Sequence, residues 1–244
     1  SLGYSKSGLS QLLDMPTQDF INQRSGKILL NQNVKSLNFN NDKLENIKLS
    51  KDIVIKSDFY IFAIPFNELT NLLTKNILIQ KDLNKISNLS FSPIIAIHLW
   101  FDKIIMNQEF LALLESPIQW VFNRNKIEEK PNSQKQHLCI SISGASDLIN
   151  LSKNELIKLS LKEINKYFPN ANSSKLIHSI VIKQPNATIR HLPNSYEYRP
   201  KSKTSIKNLF LAGDWTKTGW PSTMEGAVKS GFDSSAALIK YLNE

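Results

Sequence analysis

Two short, near-continuous apolar runs stand out along the chain, Asp58–Pro65 (DFYIFAIP) and Leu209–Ala212 (LFLA). Runs of that length without alternation read as strands of a parallel sheet buried on both faces, the first stopped by Pro65, which cannot continue the ladder. A 3.6-residue period appears instead over Asn154–Phe168, where Leu156, Ile157, Leu159, Leu161 and Ile164 form one face of an amphipathic helix. Leu9–Leu13 followed by Asp14, Pro16 and Thr17 predicts a helix start, with Phe20 and Ile21 continuing it to a stop at Gly26. Short β-prone runs follow at Lys27–Leu30, Asn33–Phe39, Leu44–Leu49 and Ile53–Ile55, with a turn at Asn40–Asp42. Beyond Phe66 the pattern predicts a short helix at Asn67–Leu73, strands at Pro93–Phe101, Pro117–Asn123 and Gln136–Ser143, a surface loop at Asn125–Gln136 and a strand at Ile177–Ile182. A long polar loop, Gln184–Thr204, leads back to Leu209. This order of elements is that of a mixed α/β (α+β) chain.

The last segment carries the most legible chemistry. Its apolar strand ends in Gly213-Asp214, Gly219 and Pro221 punctuate a loop, and Ser222 or Thr223 can cap a helix with Glu225 in its first turn, running to about Leu242. Small residues recur along that helix at four-residue spacing, Gly226, Ser230 and Ser234 beside Ala227, Gly231 and Ser235. A helical glycine costs roughly 0.8 to 1 kcal/mol relative to alanine, so two of them predict close packing. Strand end, loop and helix N-terminus form a corner whose free N–H groups and positive dipole end favour an anion or an electron-rich ligand edge.

Composition narrows the field. The 244 residues, 41% hydrophobic, suffice for a sizeable core. The longest apolar runs, Phe59–Phe66 and Ile94–Phe101, are too short to span a bilayer. A single cysteine, Cys139, excludes an internal disulfide and a thiolate metal site, and its apolar setting reads as a buried inert thiol. His98, His137, His178 and His191 share no metal-ligand spacing, and no Gly-x-Ser-x-Gly elbow supports a hydrolase. The net charge of +9 comes from scattered lysines without a basic run or nucleic-acid motif, so nucleic acid is not an expected partner, whereas anionic lipid headgroups are.

Gly213-Asp214-Trp215-Thr216, Thr218-Gly219-Trp220-Pro221 and Thr223-Met224-Glu225-Gly226-Ala227-Val228 together resemble the C-terminal flavin-binding signature of the flavin amine oxidase and phytoene desaturase superfamily. Within it the wording is most similar to the hydroxysqualene dehydroxylases, also called squalene-associated FAD-dependent desaturases. The resemblance implies an FAD-dependent, amine-oxidase-like two-domain fold, with an incomplete Rossmann-type FAD domain and a mixed-sheet substrate domain. Residues 1–26 would end a substrate-domain segment, 27–66 supply an FAD-domain meander and buried strand, 67–183 form the substrate domain, and 184–244 return to the FAD domain. No Gly-x-Gly-x-x-Gly occurs in the chain. The family places that phosphate-binding fingerprint near its N-terminus, so the chain is expected to be the C-terminal portion of a longer protein and to retain little flavin alone.

The same resemblance implies FAD as cofactor, held by Gly213, Asp214, Trp220, Pro221, Thr223, Met224 and Glu225. Val34 would contact the adenine through its backbone, with Ala63 and Pro65 lining the cleft. Trp100, Phe101, Trp120 and Phe122 would wall a tunnel for a long apolar isoprenoid; ordinary core placement is the other reading of these residues. Arg190 and Arg199 would meet cofactor phosphate or loop carbonyls, or solvent. No catalytic residue is singled out, and Tyr196, Tyr198 and Glu225 are the proton-donor candidates. The implied activity is reductive dehydroxylation of hydroxysqualene to squalene, in bacterial squalene and hopanoid biosynthesis. A carotenoid (phytoene-type) desaturase or isomerase is the alternative, an amine oxidase a more distant one, and a non-catalytic fragment that cannot hold FAD another. A cytoplasmic location is expected, with peripheral contact at the inner face of the membrane.

Overall fold

The computed structural model describes residues 4–74, 77, 83–129 and 134–244. In chain order the elements are α1 (Met15–Asn22), β1 (Val34–Asn40), β2 (Lys43–Leu49), β3 (Val54–Ile55), β4 (Tyr60–Phe62) and α2 (Phe66–Leu72). Then come β5 (Phe91–Phe101), β6 (Phe110–Ala112), β7 (Trp120–Asn123), α3 (Arg124–Ile127), β8 (Gln136–Ser143), α4 (Lys153–Tyr167), β9 (Leu176–Ile189), β10 (Leu209–Leu211) and α5 (Met224–Asn243). They form two units, each built from two stretches of chain: Ser1–Ile28 with Ser92–Ala187, and Leu29–Phe91 with Thr188–Glu244. Residues 67–91, read from sequence as substrate domain, thus lie in the second unit.

In the first unit the sheet order is β6-β7-β8-β5-β9. Side chains alternate across each strand, so Ile95, Ile97, Leu99 and Phe101 of β5, Val121 of β7 and Leu138, Ile140 and Ile142 of β8 share one face. That face packs against Leu156 and Ile164 of α4, giving the unit its core. A capping box starts α4: the Ser152 hydroxyl accepts from the Glu155 N–H and the Glu155 carboxylate accepts from the Ser152 N–H.

The second unit joins the antiparallel meander β1-β2-β3 to a parallel pair, β4 with β10, in which Tyr60 faces Leu209 and Phe62 faces Leu211. Buried Asn208 fastens the two: its side-chain oxygen accepts from the Leu44 N–H at 2.8 Å, and its amide donates to the carbonyls of Leu44 at 2.9 Å and Asp58 at 3.2 Å. The core of this unit gathers Leu44, Phe62, Phe66, Leu69, Ile86, Leu209, Leu211 and Trp215.

Several sequence expectations are corrected. Lys27–Leu30 forms no strand, and Leu30 is 69% exposed. The β4 run is covered on one face only, alternating buried Tyr60 and Phe62 with Ile61, which is 45% exposed. The strand predicted at Ile177–Ile182 continues as β9 to Ile189, so the first part of the expected loop is extended. Pro185 is tolerated because β9 is a sheet edge. Arg124–Ile127 is a helical turn capped by the Asn123 side chain, not loop, and residues 130–133 of that stretch lie outside the described residues. Strand β6 had no signal of its own. Among the described residues no helix is long and apolar enough to cross a membrane.

Candidate functional site

The corner predicted at the end of β10 forms, and its geometry depends on glycine. Gly213 sits at φ +142°, and a Cβ there would overlap the Trp215 indole. Its N–H donates to the Ser230 hydroxyl at 2.7 Å, tying the strand end to the first turns of α5. Gly219 turns the loop at φ +75°. Thr223 is the cap of α5, its hydroxyl accepting from the Gly226 N–H at 3.2 Å. Gly226 lies so close to the loop that a Cβ would stand 2.5 Å from the Pro221 carbonyl oxygen. The remaining first-turn N–H groups of Met224 and Glu225 point out of the helix start, as at any α-helix N-terminus.

Arg199 holds the loop from beneath. Its side chain, on a residue 5% exposed, donates to the carbonyls of Trp220 at 2.8 Å, Trp215 at 3.3 Å and Asp214. Burial pulls the guanidinium below its ordinary value while Tyr196 and Asp214 oppose the shift. It remains a cation at any physiological pH. Of the sequence alternatives for Arg199, loop carbonyls are what it meets. The Trp215 indole N–H donates to the Ile64 carbonyl at 3.0 Å, joining the loop to the end of the β4 run. The Asp214 carboxylate accepts from the Ser222 hydroxyl, which in turn accepts from Thr188 at 3.0 Å. Asp214 therefore braces the loop as well as facing its rim.

The two small-residue stripes on α5 part company. Gly226, Ser230 and Ser234 are buried against the unit, whereas Ala227, Gly231 and Ser235 are exposed, and a Cβ at Gly231 would meet nothing within 4 Å. Trp220, Pro221, Thr223, Met224 and Glu225 are all exposed along the rim of the corner. Val34 opens β1 half-buried, opposite Leu49. Tyr196 is exposed and receives the Lys217 ammonium 4.9 Å from its ring centre, while Tyr198 packs against the core.

Trp100, Trp120 and Phe122 all lie on the sheet face of the first unit that α4 leaves uncovered, whereas Phe101, next to Trp100 on β5, points to the other face and is buried in the core, so it walls no tunnel. Register sets them in rows: Phe110, Phe122, Cys139 and His98 across four strands, Ala112, Trp120, Ser141 and Ala96 beside them, then His137 opposite Trp100. Trp120 stacks on Phe122 with centroids 6.2 Å apart, and Trp100 stacks on His137 at 4.1 Å and 11°. Sequence reasoning missed the centre of this face, where His98 Nδ1 and His137 Nε2 stand 2.9 Å apart. Burial, then Arg124, pulls His98 below the ordinary imidazole value, and burial pushes the Cys139 thiol up with Arg124 opposing. Among the described residues no group of three His, Cys, Asp or Glu side chains is placed to hold a metal ion.

The solved structure of a putrescine oxidase bound to putrescine superimposes with a TM-score of 0.66 at 14% identity, over 87% of this chain and 49% of that one. The chain belongs to the family described as flavin containing amine oxidoreductase, whose model matches residues 1–239. A 15-cis-phytoene desaturase of an Oncidium hybrid cultivar is 32% identical over 93% of this chain and 41% of its own length. A hydroxysqualene dehydroxylase of Sinorhizobium fredii is 24% identical over 98% of this chain and 53% of its own. The chain thus spans about half the length of these curated relatives. Identity is higher to this phytoene desaturase than to this hydroxysqualene dehydroxylase, the kind of protein that the Thr-Gly-Trp-Pro wording resembles.

Proposed function

We propose that this chain forms part of an FAD-dependent oxidoreductase acting on a long apolar isoprenoid, with desaturation of a phytoene-type hydrocarbon as the reaction. The observation that carries this reading is the 32% identity to a 15-cis-phytoene desaturase along 93% of the chain. The geometry agrees with it. The corner offers what a flavin needs: a strand end that only glycine allows, backbone donors at a helix N-terminus, and an exposed rim. Met224 and Glu225 would present their N–H groups to the electron-rich edge of the ring, and the dipole of α5 would favour negative charge there. Gly213 and Asp214 would line the approach, Trp220, Pro221 and Thr223 the rim, and Val34 the adenine end. When bound, the flavin supplies the two-electron acceptor, and the protein orients substrate and excludes water.

The aromatic rows of the first unit suit an uncharged hydrocarbon chain, since Phe110, Trp120, Phe122 and Trp100 present flat apolar surface. Reductive dehydroxylation of hydroxysqualene is the second reading, favoured by the Thr218-Gly219-Trp220-Pro221 wording and the Sinorhizobium relative. The deciding experiment mixes the complete, flavin-loaded protein anaerobically with phytoene or with hydroxysqualene. Bleaching of oxidised flavin by phytoene, with a desaturated product, supports the first reading. Conversion of hydroxysqualene to squalene by the chemically reduced protein, with phytoene inert, would replace it with the second. A net charge of +9 adds peripheral contact with an anionic membrane to the proposal. Flotation with phosphatidylglycerol liposomes that is indifferent to salt and to anionic lipid would count against that contact.

A further inference from the structure

The uncovered sheet face is apolar at its edges and titratable at its centre, and the centre has a definite construction. His98 on β5 and His137 on β8 face each other at 2.9 Å, a distance that requires one ring nitrogen to donate and the other to accept. Trp100 stacks on His137 at 4.1 Å, and the His178 ring of β9 lies 5.0 Å from Trp100. Cys139 Sγ is 3.8 Å from His98 Nε2. Arg124, paired with Glu128 at 2.7 Å, lines the two recesses that flank the pair. One, of about 260 Å³, includes Trp100, Glu128, Lys135 and His137; the other, of about 300 Å³, includes Tyr4, Phe122 and Cys139.

Two imidazoles joined by one hydrogen bond hold a single extra proton well, because an imidazolium donates to a neutral ring. Two extra protons would make both rings donors and break the contact. We propose that the His98–His137 pair is the charge gate of this face: neutral, it admits an uncharged unsaturated hydrocarbon; carrying one proton, it excludes that ligand. The reason is desolvation, since covering an imidazolium with hydrocarbon removes its water and supplies no partner. Arg124 and Lys135 on the same side add positive charge that works against protonation, and Glu128 offsets Arg124. The downward shift of His98, caused first by burial, agrees with a pair that is neutral near pH 7. This gate rests on the reading of the face as a hydrocarbon-binding surface.

Two measurements separate the gate from that reading. Imidazole ¹⁵N shifts of the full chain followed from pH 8 to pH 5 should show His98 and His137 titrating together, with H98F abolishing the coupled behaviour of His137. Binding of 1,6-diphenylhexatriene, an uncharged conjugated hydrocarbon, is then read by its fluorescence across the same range. If one proton leaves for each probe bound, the apparent Kd rises tenfold per pH unit below the titration of the pair. H98F and H137F should each move the onset of that slope to the titration of the ring that remains, and the variant carrying both substitutions should bind the probe with the slope removed. Independent titration of the two rings overturns the pair. Probe binding that is the same at pH 8 and pH 5 overturns the gate while leaving the surface. No probe binding at any pH overturns both the surface and its gate, and the titration still reports on the pair itself.

Discussion

Arg199 gives the sharpest test of how the loop between β10 and α5 is held. Its side chain supplies charge-assisted hydrogen bonds to three loop carbonyls, those of Asp214, Trp215 and Trp220, from a residue 5% exposed. Hydrogen bonds to a charged group are worth roughly 1.5 to 3 kcal/mol each, and truncating one partner of a buried charged network costs about 3 to 5 kcal/mol. Trp220 is half exposed, so water can recover part of the loss at that carbonyl, which sets the expected cost of Arg199→Ala near the low end, about 3 kcal/mol. At roughly 2 to 4 °C per kcal/mol for a chain of this size, Tm should fall by about 6 to 12 °C. Arg199→Lys keeps the charge but loses the planar fork, and should fall between parent and alanine variant. The assay is thermal unfolding of the chain followed by tryptophan fluorescence, with amide exchange of residues 213–220 as a local probe. Parent-like Tm within about 1 °C together with parent-like protection of that loop would refute the bracing role.

Glycine substitutions in α5 should have opposite signs: Gly226→Ala, which drives a Cβ to 2.5 Å from the Pro221 carbonyl oxygen, should destabilise by about 1 to 3 kcal/mol. Gly231→Ala, with nothing within 4 Å, should stabilise the chain by about 0.8 to 1 kcal/mol; urea unfolding compares the two, and equal signs would defeat the packing argument. Asn208→Ala removes one acceptor and two N–H donors that fasten the meander to the parallel pair, and a loss of about 2 to 3 kcal/mol is expected by the same assay. Because His98 is held below its ordinary value, the unfolded chain takes up its proton first as pH falls. Stability is therefore complete above about pH 6.5 and declines below it, toward the lower folded value. His98→Phe should flatten that decline between pH 7.5 and pH 5.5, and an unchanged slope would assign it to other groups.

What could be read in advance divides along a physical line. The corner from Leu209 to Val228 was legible because its requirements are local: positive φ at Gly213 and Gly219, a cap at Thr223, and a glycine beneath Pro221. Strand β8 and helix α4 were legible because alternation and a 3.6-residue period cover their whole length. Arg199 was ambiguous, because a buried fork and a solvated arginine look alike in sequence. Ser230, which accepts from the Gly213 N–H, was read only as a small residue. The His98–His137 contact depends on the β5–β8 register, which places His98 beside Cys139 and Trp100 beside His137. A slip of one residue in β8 would put His137 on the α4 side and leave His98 without it. Lys27–Leu30 was misread as a strand because a short apolar run says nothing about whether a partner edge exists for it.

That division also explains why the family is plain and the substrate is not. In the proposed reading, recognition at the corner would rest on backbone: N–H groups at a helix start, a strand end without a side chain, and carbonyls held by one arginine. Such a site tolerates few residue types at its glycines and its cap, so its wording survives wherever the geometry does. On the sheet face, recognition of the proposed substrate would rest on which side chains stand in rows across four strands, and each position accepts many apolar or aromatic residues at a cost of about a kcal/mol or less. Shape there is a property of the set, not of any one residue. Hence the Thr218–Pro221 wording points toward one relative while identity along the chain favours another, and only the polar centre of the face, His98 with His137, confines a distinguishing property to two side chains.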